Sequence, residues 1–252
     1  MRNIVWFSCG AASAVAAKMS LDLPNLEIIY TDPGAEHPDN KRFLADCERW
    51  FDHSIITLKS DKYADIWDVF DKTRFLVGPY GARCTKELKK QVREDYQQHG
   101  DIHIFGFTSD ESMRHKRFGA QNKVNYRSPL IELGYNKHQC FEIIKAAGIE
   151  LPAMYRLGYR NNNCIGCVKG QSGYWNKIRR DFPEVFARMA KVEREIGAAI
   201  NKSYAGDGLR KRVFLDELDT CAGRYESEPS ISCGAVCEVD LSQQEASHDQ
   251  EG

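Results

Sequence analysis

Short apolar runs that alternate with helical segments are the feature that most constrains the fold of this 252-residue chain. Residues 3–7, 26–30, 54–58 and 102–107 have the length and composition of buried strands. Helix-forming stretches lie between them, at 11–18, 39–51 and 85–99. Strands that alternate with helices form parallel sheets covered by helices. The pattern therefore predicts an α/β fold with a doubly wound, mostly parallel sheet.

The composition restricts the class of protein. Hydrophobic residues make up 42% and charged residues 28% of the chain, as in globular proteins. The net charge of -1 argues against a uniformly basic nucleic-acid coat, although basic clusters occur locally at 177–180 and 210–212. Such clusters are more often solvated helix faces. The sequence shows no signal-peptide pattern and no apolar run long enough to span a membrane, so we expect a cytoplasmic protein without a membrane partner.

The character of the chain changes after residue 150. Residues 1–150 carry the alternating pattern of an α/β domain, whereas 151–239 are predicted to form a helical subdomain that contains cysteines. Within the subdomain, 171–201 reads as two helices, the second beginning at Pro183. In the first domain, Asn136 and Gln139 predict a capping box at a helix start. Residues 240–252 are acidic and polar and are predicted to be a disordered tail.

The first apolar run leads into a loop of small residues, 8–13, that can bind a phosphate. The loop lies between a predicted strand and a predicted helix, where backbone N–H groups and the helix dipole favour an anion. Gly10 lets the backbone approach a phosphate, and the hydroxyls of Ser8 and Ser13 can donate to its oxygens. A turn of small residues at such a position is also common for packing alone.

Four segments follow, in order, the motifs of one known family. The loop at 8–13 is similar to Ser-Gly-Gly-x-Asp-Ser, with Cys9 in place of the first Gly and Ala12 in place of the Asp. Residues 32–39 and 106–114 are similar to Asp-Thr-Gly-x-x-Phe-Pro-Glu and Gly-x-Arg-x-x-Glu-Ser-x-Arg, and 154–167 to Leu-Tyr-x-x-Gly-Tyr-x-x-x-x-Cys-x-x-Cys. The chain thereby resembles the PAPS reductase (sulfonucleotide reductase) family of the PP-loop, adenine nucleotide alpha-hydrolase-like superfamily. The resemblance implies a PP-loop fold that binds an adenine nucleotide, either ATP or an adenylyl sulfate.

The resemblance also implies a set of nucleotide-binding residues. They are Ser8, Cys9, Gly10, Ala11, Ser13, Asp32, Gly34, Gly106, Glu111 and Arg114. Asp32 can accept a hydrogen bond from a ribose hydroxyl or the adenine amine, but it is equally suited to cap a turn. Arg114 can bind a phosphate or sulfate bidentately while Glu111 orients it, unless the two form an ordinary exposed helical pair. Thr108 stands where the family often has an Arg, which removes one anion contact.

Nine cysteines in a chain expected in the cytoplasm indicate metal binding or thiol chemistry rather than disulfides. Cys164 and Cys167 have the Cys-x-x-Cys spacing of metal ligands. Cys84 lies in a segment that resembles the one where cluster-containing family members place a Cys-Cys pair. The candidate metal ligands are Cys84, Cys164, Cys167, Cys233 and Cys237, with the fourth position open between the last two. An iron–sulfur cluster of the 4Fe–4S type is expected, and the alternative is a zinc site that Cys233 and Cys237 complete with Cys164 and Cys167, leaving Cys84 free. Cys47, Cys140 and Cys221 are predicted to be core residues.

The resemblance implies an oxidoreductase or sulfurtransferase that uses a cysteine-ligated metal centre. Residues 231–234 are similar to the family's Glu-Cys-Gly-Leu-His segment, so Cys233 is also the candidate catalytic nucleophile that attacks an adenylyl sulfate. Two alternatives stay open: ATP-dependent thiolation of a nucleic-acid base, and a non-catalytic nucleotide or redox sensor or zinc module. The candidate partners are the adenine nucleotide, a thioredoxin-like thiol donor, a nucleic-acid substrate and a second copy of the chain in a homodimer.

Overall fold

The computed structural model describes residues 1–79, 81–204, 210–231 and 233. The first half contains β1 (Asn3–Phe7), α1 (Ala11–Lys18), β2 (Leu26–Thr31), α2 (Asn40–Phe51), β3 (Ile55–Leu58), α3 (Ile66–Thr73), β4 (Val77–Gly78), β5 (Gly81–Ala82), α4 (Arg83–Thr85), a π-helical turn (Lys86–Lys90) and α5 (Gln91–Tyr96). The second half contains β6 (Ile102–Ile104), a 3₁₀ turn (Ser109–Glu111), α6 (Ser112–Gln121), β7 (Asn125–Arg127), α7 (Pro129–Glu132), α8 (Lys137–Ala146), α9 (Ala153–Arg156), α10 (Ser172–Asp181), α11 (Pro183–Ile196), β8 (Asn201–Tyr204), β9 (Arg210–Val213) and two further 3₁₀ turns (Leu215–Glu217 and Tyr225–Ser227).

The main sheet has five parallel strands in the order β3-β2-β1-β6-β7. Side chains of β1 alternate between its two faces. Val5 and Phe7 pack with residues of α1, α2 and α8, while Ile4 and Trp6 pack on the other face with Phe118 of α6. Helices therefore cover both faces, and the predicted α/β class with a doubly wound parallel sheet is confirmed.

The strand order reverses between β1 and β6. From β1 the chain proceeds to β2 and β3 on one side, and from β6 it proceeds to β7 on the other. Ligands of open α/β sheets bind at such a switch point, beyond the carboxyl ends of the strands. The loops that follow β1 and β6 are thus the parts of the fold where a site is expected.

A further apolar core surrounds the cysteines. It joins residues of α3 and the π-helical turn, such as Phe70 and Leu88, to Trp175, Ile178 and Met189 of α10 and α11. Residues before position 150 thus share a core with the predicted subdomain, and the boundary at 150 stays a prediction. The two predicted helices of 171–201 are confirmed as α10 and α11. Residues 240–252 lie outside the described residues.

Several local predictions can be compared with the elements. The capping box at Asn136 and Gln139 is confirmed, since each side chain accepts a hydrogen bond from the other residue's backbone N–H, at 2.9 and 2.8 Å. The predicted continuous helix 85–99 is wrong in detail, because the helical run begins at Arg83 with α4, continues as a π-helical turn and ends at Tyr96. The predicted strand 102–107 ends at Ile104, since it pairs with both neighbours only over Ile102–Ile104. Among the described residues, no helix is both long and apolar enough to cross a membrane.

Candidate active site

A cleft of about 470 Å³ opens at the carboxyl ends of β1 and β6, and we call it the reaction cleft. It lies at the switch point of the sheet, where a ligand site is expected. The loop after β1 contributes Ser8, Gly10, Ala12 and Ser13, and the segment after β6 contributes 105–108. Its other lining residues are Trp6, Lys89, Asp110, Glu111, Arg114, Arg117, Lys137, Tyr155, Asn161, Asn162, Asn163, Ser230, Ile231 and Cys233.

The small-residue loop is closed by its own hydroxyls. The Ser8 backbone N–H donates to Ser13 Oγ at 3.0 Å, the two hydroxyl oxygens lie 3.1 Å apart, and Ser13 Oγ donates to the Gly10 carbonyl at 2.9 Å. These bonds hold the loop against the start of α1. Ser8, Gly10 and Ser13, all predicted to bind the nucleotide, therefore face the reaction cleft together.

Cys9 and Ala11 are placed differently from the other loop residues. Both side chains are fully buried, and neither residue is among those that line the reaction cleft. Cys9 has a φ of 56°, in the left-handed region that favours glycine, at the position where the family motif has Gly. Its thiol donates to the carbonyl of Asn40 at 3.6 Å. The Ala11 N–H donates to the hydroxyl of Tyr155 at 3.3 Å. Cys9 and Ala11 therefore stabilise the loop through buried contacts.

Gly106 brings the segment after β6 directly against α1. A Cβ at this position would lie 2.6 Å from the Ser13 backbone nitrogen and 2.8 Å from the Ala12 carbonyl carbon. Backbone atoms cannot move aside as the end of a flexible side chain can. Gly106 is therefore required for the two walls of the reaction cleft to approach each other.

Glu111 and Arg114 form one side of the reaction cleft. Glu111 Oε1 accepts from Arg114 Nη1 at 2.6 Å, and Glu111 Oε2 accepts from the backbone N–H of Thr108 at 3.2 Å. The Arg114 guanidinium lies over the ring of Phe107, 5.0 Å from its centroid. Thr108, which replaces the family's Arg, thus caps the turn that begins α6. Glu111 holds Arg114 by an ion pair three residues apart, which fits both alternatives, and the nucleotide contacts of the two residues stay predictions.

Asp32 and Gly34 form a turn at the end of β2 and do not line the reaction cleft. Asp32 Oδ1 accepts from the Gly34 N–H at 2.8 Å, and Asp32 Oδ2 pairs with Lys59 at 3.0 Å. Gly34 has a φ of +68°, and a Cβ there would lie 2.8 Å from the Ala64 carbonyl oxygen. This geometry matches the turn-capping alternative, and the nucleotide contacts of both residues stay predictions.

Four cysteines from three parts of the chain come together beside the reaction cleft. Burial raises the pKa of the Cys84 thiol, and the nearby Cys233 and Cys167 raise it further. Cys164 is affected in the same way by burial first and then by Cys233 and Cys84. Cys164 and Cys167 are buried, with 7% and 6% of their surface exposed. Cys233 also lines the reaction cleft. We call these four residues the cysteine cluster; Cys237 lies outside the described residues.

The electrostatic environment separates Cys233 from the rest of the cysteine cluster. Burial raises the pKa of the Cys164 thiol and raises that of Cys167 to about 12. Burial also disfavours the Cys233 thiolate, but Lys89, Lys169 and a contact with Thr85 Oγ1 at 3.6 Å together outweigh it and lower the Cys233 pKa. No three His, Cys, Asp or Glu side chains in the described ranges are spaced to hold one metal ion.

A buried polar network connects the loop after β1 to the cysteine cluster. Lys89 Nζ donates to Glu36 at 2.9 Å, and Glu36 also accepts from Asn40 Nδ2 at 2.8 Å. Asn40 Oδ1 accepts from Asn162 Nδ2 at 2.8 Å, and the same amide donates to the Cys9 carbonyl at 2.6 Å. Sequence reasoning missed Lys89 and Asn162. Both lie in segments that resemble the family's motifs, but their contacts are made with residues far away in the chain.

The segment that precedes Cys233 is fastened across the edge of the reaction cleft. Asn161 Nδ2 donates to Ser230 Oγ at 2.6 Å and to the Ile231 carbonyl at 2.8 Å, and Asn163 Nδ2 donates to the same carbonyl at 2.8 Å. These bonds place Cys233 at the reaction cleft. Of the predicted core cysteines, Cys47 and Cys140 are buried as expected, whereas Cys221 is exposed and that prediction is wrong.

Comparisons with known proteins give distant similarities. No family model matches the chain. Among curated proteins it is similar to two from Methanocaldococcus jannaschii, the uncharacterized proteins MJ0066 (24% identity over 224 residues, 83% of this chain) and MJ0973 (22% over 208 residues, 76%). The matched regions cover 44% and 47% of those proteins, so the chain spans less than half their length. Among solved structures it is similar to a phosphoadenylyl-sulfate (PAPS) reductase from Candida auris in its phosphate complex, with a TM-score of 0.46, 11% identity, and coverage of 65% of this chain and 82% of that chain.

Proposed function

We propose that this chain is an enzyme that binds an adenine nucleotide in the reaction cleft and performs sulfur chemistry beside it, as a sulfonucleotide reductase or a sulfurtransferase. One observation carries the proposal. The phosphate-type loop, through Ser8, Gly10 and Ser13, and the thiol of Cys233 line the same cleft of about 470 Å³. A nucleotide held at the loop would therefore have its reactive end within reach of a cysteine.

The charges of the reaction cleft support binding of a phosphate or sulfate group. Four basic side chains line it, Lys89, Arg114, Arg117 and Lys137, against two acidic ones among the described residues. The start of α1 adds backbone N–H groups and the positive end of the helix dipole. Arg114 can bind an oxyanion bidentately, and Glu111 fixes its direction. The loop would thus bind the nucleotide's anionic groups from one side, and the basic side chains would bind them from the other.

The cysteine cluster supports a thiolate-bound metal centre. Four neighbouring thiols are the donor type that iron–sulfur clusters and structural zinc use, and they would have to move closer together to hold one metal ion. Cys84, Cys164 and Cys167 would hold the group, with Cys233 as the fourth ligand. A 4Fe–4S cluster, when bound, would supply redox chemistry at this position. Zinc stays the alternative for the same residues.

For the reductase reaction, Cys233 would act as the nucleophile. Its thiolate sulfur would form a bond to the sulfate sulfur of an adenylyl sulfate, while the bond from that sulfur to the phosphate oxygen breaks and releases the nucleotide. An external dithiol, such as a thioredoxin-like protein, would then reduce the cysteine thiosulfonate, release sulfite and be oxidised to a disulfide. In this reaction Cys233 would not remain a permanent metal ligand.

The second candidate is ATP-dependent thiolation of a nucleic-acid base. The grouping of Cys84, Cys164 and Cys167 behind Cys233 favours it, because three thiols can hold a cluster and leave Cys233 at the cleft to carry sulfur. The two candidates differ in product. A reductase releases sulfite from adenylyl sulfate, whereas a thiolation enzyme releases pyrophosphate or another product of ATP.

Anaerobic purification followed by iron, sulfide and zinc analysis tests the metal centre. We expect a brown protein that contains iron and sulfide, and we expect Cys164→Ser to lose the metal. Cys47→Ser is the matched control, because Cys47 is also buried but lies in α2, outside the cysteine cluster. A colourless protein with stoichiometric zinc would contradict the iron–sulfur proposal.

Product assays test the reaction. Sulfite release from adenylyl sulfates and pyrophosphate release from ATP are measured for the wild type and for Cys233→Ser. Loss of product in Cys233→Ser, with nucleotide affinity unchanged, is expected. If neither product forms while nucleotide still binds, the enzyme proposal is wrong and a sensor is favoured.

A further inference from the structure

Three consecutive asparagines, at 161–163, line the reaction cleft, and we call them the asparagine run. Their side chains contact two different parts of the chain. Asn162 donates to the Cys9 carbonyl of the loop after β1, at 2.6 Å. Asn161 and Asn163 both donate to the Ile231 carbonyl, at 2.8 Å. The asparagine run therefore bonds to the nucleotide loop and also to the segment that carries the candidate nucleophile.

A positive charge fixes the direction of the Asn161 amide. The Lys137 ammonium, which can only donate, bonds to Asn161 Oδ1 and to the Arg160 carbonyl. The Asn161 Nδ2 must therefore point away from the ammonium. There it meets Ser230 Oγ at 2.6 Å and the Ile231 carbonyl at 2.8 Å. Asn161 is thus held in the orientation in which it donates to both.

A negative charge fixes the direction of the Asn162 amide. The Glu36 carboxylate, which accepts, bonds to Asn40 Nδ2 at 2.8 Å. Asn40 Oδ1 is then left to accept from Asn162 Nδ2, at 2.8 Å, and the same nitrogen donates to the Cys9 carbonyl. Two charges of opposite sign thus orient two neighbouring asparagines, one toward the nucleotide loop and the other toward the segment that leads to Cys233.

Residues 224–231, which we call the strap, lead to this thiol and are anchored separately in their first half. The Glu228 carboxylate accepts from the backbone N–H groups of Gly173 and Tyr174 at the start of α10, at 2.5 and 2.9 Å. The Tyr225 hydroxyl accepts from the Arg160 N–H at 2.8 Å. Loss of the asparagine contacts would therefore free the last residues of the strap and the thiol that follows them, while the first half stays in place.

We infer that the asparagine run positions Cys233 against the bound nucleotide: Asn161 and Asn163 hold the strap at the reaction cleft, while Asn162 holds the nucleotide loop. Because only three residues join the two contacts, the loop and the thiol keep a fixed spacing. A misplacement of about 1 Å between reacting groups can cost about 100-fold in rate. All three are positioning residues, since they act through the loop and the strap. This inference rests on the proposed function, and it applies to either candidate reaction because both need Cys233 beside the nucleotide.

Alkylation of Cys233 in the anaerobically purified full chain, with saturating ATP, tests the positioning without relying on catalysis. Iodoacetamide is the reagent, and mass spectrometry of peptides gives the rate at pH 9, where a released thiol is largely ionised. Asn161→Ala with Asn163→Ala removes three hydrogen bonds to the strap. Cys233 should then leave the reaction cleft and react at least about tenfold faster than in the wild type. ATP affinity, measured by calorimetry, should be unchanged because Asn162 is intact.

Asn176→Ala is the matched control. The Asn176 amide also donates to two backbone carbonyls, those of Asp219 and Ala222, at 2.9 and 2.8 Å, but it does not line the reaction cleft. The rate at Cys233 should stay within about twofold of the wild-type rate once melting temperatures show that both variants are folded. Equal rates in the double variant and the wild type, or equal acceleration in the double variant and the control, would overturn the inference.

Steady-state kinetics of the product that the wild type releases separates positioning from binding. The double variant should lower kcat by about 100-fold and leave KM within about twofold, because the thiol is misplaced and the nucleotide loop is intact. Asn162→Ala should do the reverse: it should weaken ATP binding by about tenfold and leave Cys233 alkylation without ATP unchanged. An equal loss of ATP affinity in both would show a general structural role and overturn the inference.

Failure of the inference and failure of the proposed function give different results. ATP binding with an unchanged alkylation rate in the double variant would overturn only the positioning by Asn161 and Asn163. A wild type that binds no ATP would refute the proposed function itself.

Discussion

Replacing Gly106 by alanine tests whether the close approach of the two cleft walls creates the nucleotide site. The new Cβ would lie 2.6 Å from the Ser13 backbone nitrogen, whereas ordinary contacts begin at 3.4 Å, so the segment after β6 must move away from α1 by about 0.8 Å. Overpacking of this kind costs about 1–3 kcal/mol of stability. If the shift also breaks one charge-assisted hydrogen bond to the nucleotide, ATP affinity should fall by about 10- to 100-fold.

Gly10→Ala is the matched control for stability. Its Cβ would meet only side-chain ends, the Tyr155 hydroxyl at 3.2 Å and Ser8 Oγ at 3.6 Å, and the φ of Gly10, -109°, suits any residue. It should therefore cost less than about 1 kcal/mol. Urea denaturation measures the free energy of unfolding of both variants, and calorimetry measures ATP affinity.

One result would refute the proposal that the close approach of the two cleft walls creates the nucleotide site. If Gly106→Ala binds ATP as tightly as the wild type while its free energy of unfolding drops, the approach of the two walls matters for folding only. The nucleotide would then bind elsewhere. If neither quantity changes, the backbone adjusts around the methyl group more easily than the contacts indicate.

Three further variants test other parts of the structure. Glu36→Gln leaves the buried Lys89 without its carboxylate and should lower the free energy of unfolding, measured by urea denaturation, by about 3–5 kcal/mol. Glu36→Gln combined with Lys89→Met should recover most of that stability. Equal losses of stability in the two variants would contradict a buried ion pair. Burial lowers the pKa of His103 to about 4, below its usual 6.5, so the folded state binds fewer protons between these values and stability should fall as the pH drops from 6.5 to 4. His103→Phe should abolish that slope, and a parallel slope in the variant would count against the assignment. Asp110 is an exposed carboxylate on the reaction cleft that can bind Mg²⁺. Asp110→Asn should therefore reduce pyrophosphate release from ATP but not sulfite release from adenylyl sulfate. Loss of both products would show that Asp110 is needed for both reactions and not for Mg²⁺ binding alone.

The sequence predicts the strands β1, β2 and β3 well and the strand β7 poorly. The strands β1, β2 and β3 are apolar runs, and their predicted bounds are correct within one residue, although β3 at the edge of the sheet is only partly buried. The strand β7 is Asn-Tyr-Arg, which has no strand pattern of its own. It exists because its backbone pairs with β6. Tertiary pairing thus decides an element that local composition does not specify.

The candidate site also contains residues that the sequence predicts and residues that it does not. Gly10, Gly106 and Arg114 belong to motifs whose residue types imply their chemistry, and each lines the reaction cleft. Asn162 could not be found in this manner, because its side chain acts through Asn40, which is 122 residues away in the chain. The grouping of the cysteines was expected from spacing and resemblance. The structure adds that Cys233 faces the reaction cleft.

The three departures from the family motif have different consequences, which bear on the choice of reaction. Cys9 adopts a left-handed backbone conformation that favours glycine and buries its thiol, while Thr108 caps the turn before α6, so packing accommodates both changes. Ala12 instead lines the reaction cleft, where a missing carboxylate alters what a ligand meets. Since carboxylates hold the Mg²⁺ that accompanies ATP, the loss of Asp at this position favours the reduction of an adenylyl sulfate unless Asp110 takes over. The product that the wild type releases decides between the two reactions, and Asp110→Asn tests whether Asp110 supplies the carboxylate that Ala12 lacks.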